Sequence, residues 1–313
     1  MENRAQVLVC DAIHEEGIEK LKRAGLKVDV EPTISGEDLK KVVSKYDALI
    51  VRSRTKVTRE IIDAGWRLKV IGRAGVGVDN IDVKAAEERG ILVLNTPEAP
   101  AEAVAELTMG LMISLARQIP RADQAMKEGK WLKGKLEGWQ LKGKTLGIIG
   151  LGNVGERVAR IAKALEMRLL ITKRTPPDPA LLKELGAEFV PLKELFQRSD
   201  IITIHVPLTS QTYHMIGPEE FQSVKEGAFL INTSRGAIVD EGALLAALKS
   251  GKLGGAALDV YETEPPTDLA LVRLPNVVAT PHIGAQTIEA QKTAAIMIAE
   301  KLINQLKLKA GNN

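Results

Sequence analysis

The chain has 313 residues, 45% hydrophobic and 27% charged, which is too long for one ordinary α/β core and suits two domains. A formal charge of +3 without a long basic run implies no nucleic-acid partner, and the single cysteine, Cys10, excludes an internal disulfide and suits a reducing compartment. The opening Met1-Glu2-Asn3-Arg4 lacks signal-peptide character and no apolar run could span a bilayer, so a cytoplasmic protein with no membrane partner is expected.

Short β-like runs at 7–10, 27–30, 48–51, 69–71 and 92–94 read as strands, with helical patterns near 15–24, 35–45, 58–64 and 82–88 between them. Ser35-x-x-Asp38 resembles a capping box with Asp in place of Glu. This alternation predicts a parallel sheet covered on both faces. A strongly apolar helix follows, about 101–119, with Leu107, Leu111, Met112 and Leu115; it reads as an interdomain core helix or, preferably, a homodimer contact.

A second β/α series begins at Thr145, with strands at 146–149, 169–172, 201–206, 228–232, 256–260 and 277–279. The final helix, about 289–306, follows the completed second sheet and is free to return to the first domain. The expected fold class is therefore α/β, two doubly wound parallel-sheet (Rossmann-like) domains with an interdomain cleft. Residues 1–98 and 287–313 form a discontinuous substrate-binding domain, and 99–286 the dinucleotide-binding domain.

Gly150-Leu151-Gly152-Asn153-Val154-Gly155 stands between an apolar strand and an amphipathic helix. In this G-x-G-x-x-G fingerprint the first glycine makes the turn, the second admits a pyrophosphate and the third lets helix pack on strand. The helix N-terminus adds free N–H groups and a positive dipole end. A nicotinamide dinucleotide cofactor, NAD or NADP, is expected; no metal site is.

Three segments downstream follow strands, where ligands of open α/β sheets collect. They are Asn232-Thr233-Ser234-Arg235-Gly236, the run from Leu258 through Asp259 and Glu264 to Pro266, and Thr280-Pro281-His282-Ile283-Gly284-Ala285. With Val51-Arg52-Ser53, the run Gly72-Arg73-Ala74-Gly75-Val76-Gly77-Val78-Asp79-Asn80-Ile81-Asp82 and Asn95-Thr96-Pro97, these phrases make the chain resemble the D-isomer-specific 2-hydroxyacid dehydrogenase family end to end.

The resemblance implies that Arg235, Glu264 and His282 are the catalytic set. Arg235 has the fixed cationic fork that holds a carboxylate and polarises a carbonyl. His282 titrates near neutrality and can move the hydroxyl proton, while Glu264 fixes its tautomer and favours the imidazolium. It further implies cofactor contacts from Val206, Pro207, Thr233, Ser234 and Gly284, and from Asp259 near the nicotinamide carboxamide. His14, His205 and His214 lack such support.

On the substrate side, Ala74, Gly75 and Val76 offer successive N–H groups as a nest for a carboxylate. Arg52 and Ser53 end a strand, a region that the resemblance places against the substrate, which makes Arg52 the candidate phosphate partner. Lys130 and Lys133 read as a solvated basic face. The resemblance implies, as the expected reaction, oxidation of 3-phospho-D-glycerate to 3-phosphooxypyruvate, the entry to serine, by a short form without a C-terminal regulatory module.

One position departs from the pattern. An NAD site wants an acidic residue where this chain has Thr172-Lys173-Arg174-Thr175, and two cations there suit a 2′-phosphate, which favours NADP. The bland reading leaves Lys173 and Arg174 exposed with Asp178 compensating. The departure supports an NADPH-dependent glyoxylate or hydroxypyruvate reductase as the alternative enzyme. From another class, a nicotinamide-sensing co-repressor-like interaction protein shares the fold.

Overall fold

The computed structural model describes residues 4–310, with side chains through 306; positions 1–3 and 311–313, which the expected domain limits include, lie outside the described residues. The chain divides into two compact units. One runs through Ala101 and resumes at Ala285, and the other is Glu102–Gly284.

In chain order the first unit carries β1 (Gln6–Val9), α1 (Glu15–Arg23), β2 (Lys27–Val30), α2 (Gly36–Val42), β3 (Ala48–Val51), α3 (Arg59–Ala64), β4 (Val70–Arg73), α4 (Val83–Glu88) and β5 (Leu92–Leu94). The second carries α5 (Ala101–Arg117), α6 (Ile119–Lys127), β6 (Thr145–Ile149), α7 (Asn153–Ala164), β7 (Arg168–Thr172), α8 (Pro179–Leu185), β8 (Ala187–Phe189) and α9 (Leu192–Arg198). It continues with β9 (Ile201–Ile204), α10 (Pro218–Ser223), β10 (Ala228–Asn232), α11 (Glu241–Lys249), β11 (Leu253–Leu258) and β12 (Val277–Ala279). Helix α12 (Ile288–Ala310) then returns to the first unit.

Both sheets are parallel. The first has the order β2-β1-β3-β4-β5, the second β12-β11-β10-β9-β6-β7-β8. Strands covered on both faces are nearly continuously apolar, and β3 (Ala48–Val51) and β9 (Ile201–Ile204) are buried at every residue, Thr203 of β9 bonding its hydroxyl to His205. In the second sheet the order reverses between β6 and β9, so the C-terminal ends there form the crevice where ligands of such sheets bind. Strand β9 stops at Ile204, two residues short of the expected 206, and β8 is a short edge strand that the sequence reading lacks.

Helix caps follow local chemistry. Ser35 Oγ accepts the Asp38 amide at 3.0 Å, as the Ser35-x-x-Asp38 pattern leads one to expect. Helix α12 lies on α1 and β4, where Gly17 touches the Ala295 backbone and Gly72 touches Ile298, approaches that leave no room for a side chain. Helix α5 buries Ala105, Met109, Met112 and Leu115 against Leu146, Ile148 and Val158 of its own unit, while Ile113 stays exposed.

Candidate active site

The fingerprint glycines of the second unit are each required for a different reason. Gly150 has φ +95, and a Cβ there would lie 2.6 Å from the His205 carbonyl oxygen. A Cβ on Gly155 would lie 2.1 Å from the Gly150 carbonyl oxygen, so helix α7 packs this close only on a glycine. Gly152 is the opposite case: nothing stands within 4 Å of its would-be Cβ. That open side, at the N-cap of a 12-residue helix whose first N–H groups lack intrahelical partners, fits the approach of a pyrophosphate.

The ends of β10, β11 and β12 carry the candidate catalytic groups. Asn232, the last residue of β10, orders the Arg235 segment: its Oδ1 accepts from the Ser234 amide at 3.1 Å and hydroxyl at 3.0 Å, and its Nδ2 donates to the Arg235 carbonyl at 2.9 Å. The Thr233 hydroxyl is buried against that of Thr108, 2.9 Å away on α5. After β11, Glu264 Oε1 accepts the Tyr261 amide at 3.2 Å, closing its own turn. After β12, His282 takes a left-handed φ of +53, and its Nδ1 lies 2.7 Å from Glu264 Oε2.

Two groups lock these loops together. The Tyr261 hydroxyl donates to the Thr280 carbonyl at 3.0 Å, linking the Glu264 and His282 loops. Asp259 is fully buried, and its carboxylate accepts from the Thr280 hydroxyl at 2.6 Å and the Ile283 and Gly284 amides at 2.8 Å each. Asp259, the residue expected near the nicotinamide carboxamide, is engaged on both sides of His282 and helps hold that left-handed residue.

Burial pushes the Glu264 carboxyl up, but the hydrogen bond and charge of His282, the Tyr261 amide and the Arg235 cation outweigh it and leave the group below its ordinary 4.5. Glu264 is therefore a carboxylate at neutral pH, aimed at one ring nitrogen of His282. The His282 side chain is 47% exposed, so its other nitrogen is open to a substrate.

His205 follows β9 beside the fingerprint. Its Nε2 is 3.0 Å from the Thr203 hydroxyl, and desolvation drives the imidazole down to about 3, so it stands neutral. Val206 is half-buried and Pro207 exposed on the segment that follows.

At the end of β7, Lys173 and Arg174 are exposed and form no ion pair among the described residues. Asp178 does not compensate them: its carboxylate caps α8, accepting the Ala180 amide at 2.9 Å. Other arginines of the unit are engaged, Arg160 by Glu156 and Glu184 and Arg198 by Glu188 and Glu194. Lys130 pairs with Glu128 at 2.6 Å on an exposed surface, and Lys133 is exposed too, the solvated face expected of them.

In the first unit, Arg52 and Ser53 follow β3; the Arg52 guanidinium donates to the Ala12 carbonyl at 3.3 Å and its amide donates to the Asp11 carboxylate. Ala74, Gly75 and Val76 follow β4, but their nest is smaller than expected. The Ala74 amide donates to the Val51 carbonyl and the Gly75 amide to the Arg73 carbonyl, both at 2.9 Å, so these two are engaged within the chain.

Arg54 was not singled out in the sequence. It meets the buried Asp11 carboxylate at 3.0 Å, in a cluster with Thr55, and only the bare spacing Arg52-Ser53-Arg54 hints at it. Glu241 and Glu262 carry no sequence signal that pairs them, since they lie 21 positions apart.

Residues 109–284 match the family model described as the NAD-binding domain of D-isomer specific 2-hydroxyacid dehydrogenases. The chain is 48% identical over 307 residues to the D-3-phosphoglycerate dehydrogenase of Archaeoglobus fulgidus, covering 96% of this chain and 57% of that protein. It is 47% identical over 309 residues to the hydroxypyruvate reductase of Thermotoga maritima, covering 97% and 99%. A glyoxylate reductase structure from Paecilomyes thermophila superposes with a TM-score of 0.88 at 34% identity, over 96% and 94%.

Fold and fingerprint define a dinucleotide-binding α/β scaffold. The chain belongs to the D-isomer-specific 2-hydroxyacid dehydrogenase family. It spans a little over half of the phosphoglycerate dehydrogenase it matches. Among the described residues no helix is long and apolar enough to cross a membrane.

Proposed function

We propose that the chain oxidises 3-phospho-D-glycerate to 3-phosphooxypyruvate, the entry step to serine, as a nicotinamide-dependent D-3-phosphoglycerate dehydrogenase. The observation that carries the chemistry is the His282–Glu264 pair beside Arg235. The substrate assignment is supported by the 48% identity to the Archaeoglobus protein of that name. Arg235 presents its fork to the substrate carboxylate and the reacting oxygen. His282, with Nδ1 engaged by Glu264, takes the 2-hydroxyl proton at Nε2 as the C2–H bond breaks and the carbonyl forms. The nicotinamide, when bound, supplies the hydride acceptor.

Gly150, Gly152, Asn153, Val154 and Gly155 are assigned to the pyrophosphate, and Val206, Pro207, Thr233, Ser234 and Gly284 to the rest of the cofactor. Arg52, Ser53 and the 74–76 segment are assigned to the substrate, with Arg52 on its phosphate. Lys173 and Arg174, exposed and without an ion pair among the described residues, favour NADP over NAD. The exposed Ile113, Ile119, Met126 and Trp131 support a homodimer.

Hydroxypyruvate or glyoxylate reduction with NADPH is the second reading, favoured by the same two cations and by the full-length likeness to the Thermotoga reductase. Arg52→Ala separates them. If Arg52 grips a phosphate, the variant loses phosphoglycerate turnover at least tenfold more than glyoxylate turnover; equal losses contradict that role.

A further inference from the structure

Outside the His282–Glu264 pair, three titratable groups meet at one point in the second unit: His214, Glu241 and Glu262. Glu241 opens α11, and Glu262 lies in the loop after β11, two residues before Glu264. Each carboxylate accepts the other residue's amide. Glu241 N donates to Glu262 Oε1 at 3.0 Å, and Glu262 N donates to Glu241 Oε1 at 2.9 Å. His214 Nε2, buried, stands 3.0 Å from the same Glu262 oxygen but outside hydrogen-bonding geometry, so that contact is a close polar approach only. His214 is held there by its amide on the Ala237 carbonyl at 2.8 Å and by Tyr213 stacked at 4.1 Å.

The position of this clasp matters. Gly236 adjoins Arg235, and a Cβ on it would fall 1.9 Å from the Tyr261 carbonyl carbon. The Arg235 and Glu264 loops therefore touch backbone to backbone at Gly236, and the clasp ties them again at Glu241 and Glu262. Burial and the neighbouring Glu262 and Asp268 charges push the Glu241 carboxyl above its ordinary 4.5, against the Glu262 amide and His214. Asp240 is engaged elsewhere, capping α11 through the Ala243 amide.

We propose that Glu262 and Glu241 are positioning residues: their reciprocal clasp fixes the 261–264 turn so that the Glu264 carboxylate stays within hydrogen-bonding reach of His282. The inference rests on the acid–base reading of that pair given above.

The test is the titration of His282 followed by NMR, practicable in a chain with four histidines. It is run on the wild type, Glu262→Ala, Glu262→Asp, Glu262→Gln, Glu241→Ala and Glu264→Gln, each checked by thermal melting. Glu264→Gln, which removes the partner charge, moves the His282 midpoint down. Glu262→Ala and Glu241→Ala move it the same way and by less. Glu262→Asp, too short to span the clasp, follows Glu262→Ala, while Glu262→Gln keeps an acceptor oxygen and stays near wild type. Unchanged midpoints in the folded Ala and Asp variants overturn the proposal. So does unfolding of all the clasp variants, because the clasp would then hold the unit rather than the turn. The titration needs neither substrate nor cofactor, so intact coupling in a chain without turnover would condemn the activity and not the clasp.

Discussion

His282 Nδ1 and Glu264 Oε2 lie 2.7 Å apart on loops that leave neighbouring parallel strands, β12 and β11. The contact is local in space and distant in sequence. Each side is separately braced: Glu264 by the Tyr261 amide, and His282 by Asp259, which takes the two amides that follow it. A general acid–base held this way loses little entropy on reaching the reactive geometry.

The pair sets a pH signature. Glu264 is a carboxylate that favours the His282 imidazolium, so replacing it with Gln removes a negative charge and makes the imidazolium harder to form. The pH–rate profile for oxidation, which needs neutral His282, is expected to move its acid limb to lower pH, with kcat reduced about tenfold or more through loss of orientation. A profile that does not move removes Glu264 from the proton-transfer pair.

Two fingerprint glycines are expected to fail in opposite ways. Gly152→Ala meets open space at φ −104 and keeps the melting temperature of the wild type, but weakens dinucleotide binding by placing a methyl group where phosphate approaches. Gly155→Ala presses on the Gly150 carbonyl and costs about 2 kcal/mol or more of stability. Thermal melts beside cofactor titrations check both. Equal dinucleotide affinity in Gly152→Ala and wild type would remove the pyrophosphate from that face.

Lys173 and Arg174 are expected to distinguish the cofactors. The double variant Lys173→Ala, Arg174→Ala weakens NADPH binding about 10- to 100-fold and NADH binding much less, and the NADPH affinity of the wild type falls as salt rises. Fluorescence titration of both nucleotides measures this without any turnover. Identical losses for the two would show that neither cation meets the 2′-phosphate.

His205 gives the second unit an acid weakness. The unfolded chain takes up a proton near the ordinary 6.5 and the folded chain only near 3, so protonation favours unfolding between those values. Stability from this group is complete above about pH 6.5 and is lost as the pH falls toward 3. Because the residue keeps partial exposure, about 1 kcal/mol between pH 7 and 5 is expected. Urea melts at the two pH values check it, with His205→Gln lacking that part of the fall.

The strands 48–51 and 228–232 stand where the apolar runs put them, because a strand covered on both faces is nearly continuously apolar, while 27–30 and 277–279 are partly open edge strands marked by their place in the β/α alternation. Strand β8 escapes that logic: Ala187–Phe189 is three residues at a sheet edge, half-open to solvent, with no run to mark it. Arg235, Glu264 and His282 were legible because each lies in a segment that leaves a strand end. The engagement of Asp259 was not, since its composition reads equally as ligand contact or loop brace. Nor was the Glu241–Glu262 clasp, which joins two loops 21 positions apart through backbone directions that only the fold defines.

The most direct measurement is a kcat/KM matrix: NAD⁺ and NADP⁺ with 3-phospho-D-glycerate, NADH and NADPH with hydroxypyruvate and glyoxylate, each on wild type and His282→Ala. Phosphoglycerate oxidation should dominate, with a fall of about 10²-fold or more in His282→Ala at unchanged nucleotide affinity. Inert phosphoglycerate beside fast NADPH-dependent reduction of hydroxypyruvate would contradict the substrate assignment, and full activity in His282→Ala would contradict the mechanism itself.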